Sequence, residues 1–268
     1  MNSGVRTIPF VKASACGNDF LLIDFSFAPA PNELHALTQR ICDRHEGVGA
    51  DGVEWMLPHA SADVEIRLIN ADGSEAEISG NGTRCVAAYL CCEQGKEKIT
   101  IQTGAGRKNC VLTSRRDGEY EFEMEMGEAL IEAEFAVKVA DREVRGIPVS
   151  IGNPHYVILV PEFAAGWQAQ AEEIQRSSYF KQGVNVELVV IDSKQDVRAR
   201  FFERGVGETQ SSGTGSCASA VAAMAAGRVN SPVKVHALGG TQTVSREGDN
   251  IFLRGPARLV CRGEFFLS

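Results

Sequence analysis

Ser79-Gly80-Asn81-Gly82-Thr83 recurs 133 residues further on as Ser212-Gly213-Thr214-Gly215-Ser216. Each copy follows an acidic, turn-rich stretch: Asn70-Ala71-Asp72-Gly73-Ser74-Glu75-Ala76-Glu77 in the first, Glu203-Arg204-Gly205-Val206-Gly207-Glu208-Thr209 in the second. Each opens a run of small apolar residues, from Cys85 to Cys92 and from Cys217 to Ala226. Such runs predict buried helices, and a serine just before a helix is a natural N-cap. Glycines beside the cap let backbone N–H groups come close to a ligand, and the helix dipole favours an anion there. Two such helix starts facing each other would form a site for a small anionic molecule, with one serine on either side.

A second echo extends the repeat. Gly17-Asn18-Asp19-Phe20 returns as Gly152-Asn153-Pro154-His155, an offset of 135 residues. Two motif pairs at nearly one offset, about half the chain, predict two related halves with pseudo-twofold symmetry. The expected boundaries are 1–118 and 119–268, with the last strand able to return to the first half. The fold class is α+β: each half carries a mostly antiparallel sheet and one small-residue helix. That helix is apolar on most faces, which places it inside its sheet rather than on top.

Periodicity fills in the rest. Short strands are expected at Ile8 to Lys12 and Phe20 to Asp24. A helix capped by Asn32 follows, with Leu34, Leu37 and Ile41 on one face and its end near Arg44-His45. Glu46-Gly47-Val48-Gly49-Ala50-Asp51-Gly52 is too glycine-rich for regular structure and is read as a ligand-side loop. Alternation predicts strands at Val64 to Leu68 and Glu119 to Met126. Further strands are expected at 99–103, 109–114, 135–139, 144–151, 156–160, 184–191 and 197–202, and a helix at 167–177. Four short strands near 233–237, 242–245, 251–253 and 259–265 close the chain.

Composition narrows the function classes. The 268 residues are 44% hydrophobic and 23% charged, as in a globular protein, and the net charge of −8 argues against a general nucleic-acid binder. No apolar run reaches the roughly 18 residues of a membrane span. The N-terminus lacks the apolar core of a signal peptide, so a cytoplasmic location is expected. None of the eight cysteines forms a C-x-x-C pair, and reduced, mostly buried thiols are expected. The five histidines are scattered without an H-x-x-x-H pair, so no metal site is predicted.

The repeated loops concentrate groups that recognise amino acids. The amides of Asn18, Asn70, Asn81, Asn153 and Asn185 and the carboxylates of Glu203 and Glu208 can hold an ammonium, while Arg204 and the helix-start N–H groups can hold carboxylates. A single asparagine in such a place is equally a turn residue. The set, placed at the same points of both halves, is better explained by a ligand. Ser79 and Ser212 admit two readings. They are helix caps and nothing more, or they stand on opposite faces of a substrate Cα as a pair that removes and returns a proton. The second geometry suits inversion of a stereocentre. Acid–base work wants a group tunable toward neutrality; a thiol begins near ~8.5, whereas a serine hydroxyl needs its own base.

At these residues the chain resembles the diaminopimelate epimerase family of pyridoxal-phosphate-independent epimerases. The resemblance covers nearly the whole chain. It is carried by the motifs already quoted at 17–20, 47–52, 70–74, 152–155 and 213–215, by Gly80-Asn81-Gly82 with Arg84-Cys85, and by Glu203-Arg204-Gly205 with Gly207-Glu208-Thr209. It implies two pseudo-symmetric domains, each a sheet or barrel wrapped around a central helix, with the active site in the cleft between them. It implies that Asn18, Asn70, Asn153, Asn185, Glu203 and Arg204 bind the amino-acid substrate, with the α-carboxylate at Gly80-Asn81 and Gly213-Thr214. His155 and Glu203 are expected to assist. No cofactor is expected, closure on substrate and a homodimer are implied, and lysine and cell-wall synthesis is the implied setting.

The chain departs from the family at one point in each half. The family places a cysteine immediately before each glycine loop as acid and base; here Ser79 and Ser212 stand there, and Cys85 and Cys217 lie a turn or more into their helices, where packing is their expected role. Three readings stay open. The serines are engineered to trap substrate; or they are natural and act on diaminopimelate or another amino acid; or the fold has kept binding and become a dehydratase, another isomerase or a non-catalytic amino-acid binder.

Overall fold

A computed structural model describes residues 6–139 and 142–267. The chain forms two compact units. One holds the residues up to Met124 together with those from Pro256, and the other holds Glu125–Gly255. The crossings fall inside strands rather than in linkers.

The first unit begins with β1 (Arg6–Ala15) and β2 (Asn18–Asp24), followed by a 3-10 turn at Phe25–Phe27 and α1 (Leu34–Cys42). β3 (Gly52–Leu57), β4 (Val64–Asn70) and the short β5 (Glu75–Ala76) lead to α2 (Gly80–Gln94). β6 (Lys98–Thr103), β7 (Gly106–Arg116) and β8 (Glu119–Glu128) complete the run. The second unit carries β9 (Leu130–Ile131), β10 (Phe135–Val139), β11 (Arg142–Ser150), β12 (Pro154–Leu159), α3 (Trp167–Gln175), β13 (Asn185–Ile191), β14 (Asp196–Glu203), β15 (Gly207–Thr209), α4 (Gly213–Ala225), β16 (Val233–Ala237) and β17 (Gly240–Glu247). β18 (Asn250–Leu267) starts there and ends in the first unit.

The pairing pattern repeats. β1 and β2 are antiparallel, β2 and β3 parallel, and β3 and β4 antiparallel. β4 then takes β5 antiparallel and β6 parallel. In the second unit β11, β12, β13, β14, β15 and β16 follow the same sequence of directions. Even the register repeats: Phe20 opposes Gly52 in one unit, and His155 opposes Asn185 in the other. The duplication expected from two motif pairs thus extends through six successive strands of each unit.

Small side chains explain why each central helix is enclosed. α4 buries Cys217, Ala218, Ala220, Val221, Ala222 and Ala223 against Val149, Val157, Val189, Val197, Phe201, Val233, Val235 and Val244 from the surrounding strands. A helix whose residues carry few side-chain atoms lets strands approach on several sides, and each buried valine contributes on the order of 1.5 kcal/mol. α1 is different: it is amphipathic, and Leu34, Leu37 and Ile41 pack on Ile8, Leu21, Ile23, Val53, Trp55 and Ile69. The Trp55 indole N–H donates to buried Thr38 Oγ1 at 3.2 Å, which satisfies both groups.

Three expectations need correction. Asn32 is not the cap of α1: the position before the helix is Glu33, with no side-chain capping bond, and the helix stops at Cys42. The segment after the glycine-rich loop is a strand, β3, that the sequence reading passed over because Glu54 interrupts its apolar run. The last two expected strands are one, since β18 continues without a break through Pro256. Cys85 and Cys217 are fully buried, as expected of packing residues. Six of the eight free thiols are buried, while Cys92 and Cys261 are exposed. Among the described residues, no helix is long and apolar enough to cross a membrane.

Candidate active site

Both serines cap their helices. Ser79, with extended backbone (φ −121°, ψ 119°), accepts the Gly82 N–H at 3.1 Å; Ser212 (φ −137°, ψ 128°) accepts the Gly215 N–H at 3.2 Å. Each leaves further first-turn N–H groups pointing past the cap, where an anion is favoured.

The surroundings of Ser79 form a directed chain of amides. Asn81 Nδ2 donates to Asn18 Oδ1 at 2.7 Å, and Asn18 Nδ2 donates to Asp51 Oδ2 at 3.1 Å. The Asn81 carbonyl in turn accepts from Arg84, whose guanidinium also donates to the Gly80 carbonyl at 3.1 Å and to the Pro256 carbonyl at 3.2 Å. Arg84 is fully buried, and these contacts fix the loop that precedes α2. At the other end Arg44 bridges Asp19 and Asp51 at 2.7 Å each, and Lys12 reaches Asp19 at 2.9 Å. Burial alone would raise the Asp19 carboxyl, but hydrogen bonds from Arg44 and Lys12 prevail and hold it below the usual range. Gly17 (φ 84°) makes the turn that presents Asn18. Asn70 is engaged with its own turn, donating to Ser74 Oγ at 3.0 Å.

Ser212 has a carboxylate partner. Its hydroxyl donates to Glu203 Oε2 at 3.3 Å, and Glu203 Oε1 accepts from Thr209 Oγ1 at 2.6 Å. The antiparallel β14–β15 pair sets this up by placing Glu203 opposite Gly207. A hydroxyl held between a helix start and a carboxylate can both lose and regain a proton.

Behind it runs a second relay. Glu187 Oε1 lies 2.6 Å from His155 Nδ1, His155 Nε2 lies 2.9 Å from Asn153 Oδ1, and Asn153 Nδ2 lies 3.4 Å from Thr214 Oγ1 at the start of α4. Burial raises the Glu187 carboxyl, and the histidine beside it opposes that rise. The imidazole orients Asn153, and its tautomer follows from the amide oxygen it faces.

Asn185 and Arg204 are tied to the backbone. Asn185 clamps backbone, donating to the Pro154 carbonyl at 3.0 Å and accepting the Arg204 N–H at 2.9 Å. The Arg204 guanidinium donates to the Gln182 carbonyl at 2.9 Å. Sequence reasoning missed Glu54, Glu187 and Arg84. Glu54 and Glu187 lie 133 residues apart, the spacing of the two serines, so the repeat itself carried that signal.

A sheet around a central helix, repeated in tandem, defines a class with several solved members. A hydroxyproline epimerase from Agrobacterium vitis superposes with a TM-score of 0.70 at 17% identity, covering 97% of this chain and 91% of that one. A phenazine biosynthesis protein of the PhzF family from Bacillus anthracis gives 0.71 at 18% identity, over 98% and 100%. At these identities the likeness is one of fold. The sequence goes further: the diaminopimelate epimerase family model matches residues 10–131 and 147–260. The diaminopimelate epimerase of Pelotomaculum thermopropionicum is 37% identical over 275 residues, covering 96% of this chain and 98% of the relative. That of Rhizorhabdus wittichii is also 37% identical, over 97% and 96%. The chain belongs to the diaminopimelate epimerase family, and it is an isomerase of the amino-acid epimerase kind.

Proposed function

We propose that the protein interconverts LL- and meso-diaminopimelate by proton transfer at Cα without a cofactor, with Ser79 and Ser212 as the acid–base pair. The observation that carries this reading is the Ser212–Glu203 hydrogen bond at the start of α4, which gives one serine the base that a hydroxyl needs. The family name of the relatives supports the substrate. The α-carboxylate is assigned to the helix starts at Gly80-Asn81 and Gly213-Thr214, where N–H groups and dipole favour it. Asn18, Asn70, Asn153, Asn185, Glu203 and Arg204 are assigned to the amino groups and the distal carboxylate. His155 assists by holding Asn153. A cytoplasmic homodimer is part of the same reading.

The test is exchange of the Cα hydrogen with solvent deuterium, using LL- and meso-diaminopimelate and no added cofactor. Exchange with both isomers is expected. Its absence, with calorimetric binding retained, would make the protein a binder; loss of water from a 3-hydroxy amino acid would make it a lyase.

A further inference from the structure

Glu54 is an ionisable side chain placed where no structural need accounts for it. It stands on β3 in register with Leu22 of β2 and Leu68 of β4. It is fully buried, and neither carboxyl oxygen has a hydrogen-bond partner. A buried carboxyl without partners costs free energy and is therefore a functional candidate. What it faces is the loop at the start of α2. A Cβ added to Gly82 would lie 1.9 Å from Glu54 Oε1 and 3.3 Å from Ser79 Cβ, so the carboxyl and the serine side chain border the same small space. Residue 82 is glycine because the carboxyl occupies the space of its side chain.

The repeat sharpens the contrast. Glu187 holds the same register on β13, between Val157 and Phe201, and it has His155 as partner. The residue equivalent to His155 in the first unit is Phe20, which has no proton to share. Ser212 has Glu203, whereas Asn70 stands at that place for Ser79 and is turned toward Ser74. Glu54 is a buried carboxyl bordering the same space at Gly82 as Ser79.

We propose that Glu54 is the proton partner of Ser79, accepting the hydroxyl proton as Ser79 Oγ removes the substrate Cα proton, directly or through one water. This rests on Ser79 being one of the two acid–base groups. The Cα–H and Ser79 O–H bonds break, an O–H bond forms on Ser79 and another on Glu54, and the electron pair stays on the carbon. Reversal returns both protons. Glu54 is thus a positioning residue that acts through Ser79, and it must be ionised to begin. Burial pushes its carboxyl up to about 8. Around it, β2 and β4 present Leu22 and Leu68 in register, and α2 contributes the buried Cys85 thiol, raised chiefly by burial. Arg84, also on α2, directs its guanidinium to Asn81 and to backbone carbonyls.

The experiment uses E54Q, E54D and S79A with two readouts. Exchange in the unaltered protein should rise about tenfold per pH unit and level off near pH 8; E54Q should lose ~100-fold or more and the rise with it, and E54D should recover part of both. An E54Q protein with the native rate and pH profile overturns the inference. The second readout needs no turnover: the Glu54 carboxyl is followed by carbon-13 NMR, assigned by its absence in E54Q. The bridge from Ser79 that the proposal requires, direct or through one water, would place a donor on the carboxylate and favour its charged form, so S79A should raise the titration by ~0.5 pH unit or more. An unchanged titration overturns the pairing. No exchange with any amino acid overturns the epimerase reading alone, and the titration still decides the pair.

Discussion

Glu187 Oε1 lies 2.6 Å from His155 Nδ1, with both side chains closed to solvent. Neither member of the pair reaches water. Removing one partner leaves the other buried alone. Glu187→Leu should therefore cost ~3 kcal/mol in urea unfolding, whereas Glu187→Gln, which can still donate to Nδ1, should cost ~1 kcal/mol. Equal losses would mean that packing, not the pair, is what Glu187 supplies.

Capping and proton transfer can be separated at the serines. Asparagine caps a helix about as well as serine, so Ser79→Asn and Ser212→Asn should stay within a few tenths of a kcal/mol of the native protein, while the alanine variants lose ~1 kcal/mol each. All four should lose deuterium exchange. Asparagine variants that still exchange would reduce both serines to caps.

The stability of the fold should carry the signature of Glu54. Its carboxyl titrates near 4.5 when unfolded and is pushed up to about 8 by burial in the folded chain. Between those values the native state holds a proton that the unfolded state has released. Stability from this group is therefore complete below pH 4.5 and is lost as pH rises toward 8, at up to ~1.4 kcal/mol per pH unit. Denaturant melts at pH 5 and pH 8 should show that decline, and Glu54→Gln should flatten it. A slope unchanged in the variant would assign it to other groups.

Gly82 and Glu54 should be coupled. Gly82→Ala places a methyl group 1.9 Å from Glu54 Oε1 and should destabilise by ~1–3 kcal/mol despite the better helix propensity of alanine. In an Glu54→Ala background the same change should be neutral or favourable. Additive effects in the double-mutant cycle would place the carboxyl elsewhere.

The two serine-capped helix starts were legible because glycine, serine and asparagine in a repeated order encode local backbone geometry. The repeat of Gly17-Asn18 as Gly152-Asn153 marked two left-handed turns, with φ of 84° and 80° at the glycines. The apolar strands and the small-residue helices were legible from periodicity. Glu54 was not, because a charged residue inside an apolar run argues locally against a buried strand, and only the tertiary setting reverses that. At Asn185 and Arg204 the sequence did not show the backbone partners. Their types suit a ligand, yet Asn185 hydrogen-bonds backbone on both sides, and a sequence does not say which partner an amide finds first.

The crossings inside β8 and β18 bear on how the protein is made. Glu125–Gly255 is one uninterrupted stretch, so every strand pair of that unit has been synthesised before the first unit has its full set. β1 pairs with β2 on one side but must wait for Arg258 to Leu267 on the other. On the ribosome the half that is translated first is therefore the half that is completed last, with one flank of β1 unpaired until β18 has been made.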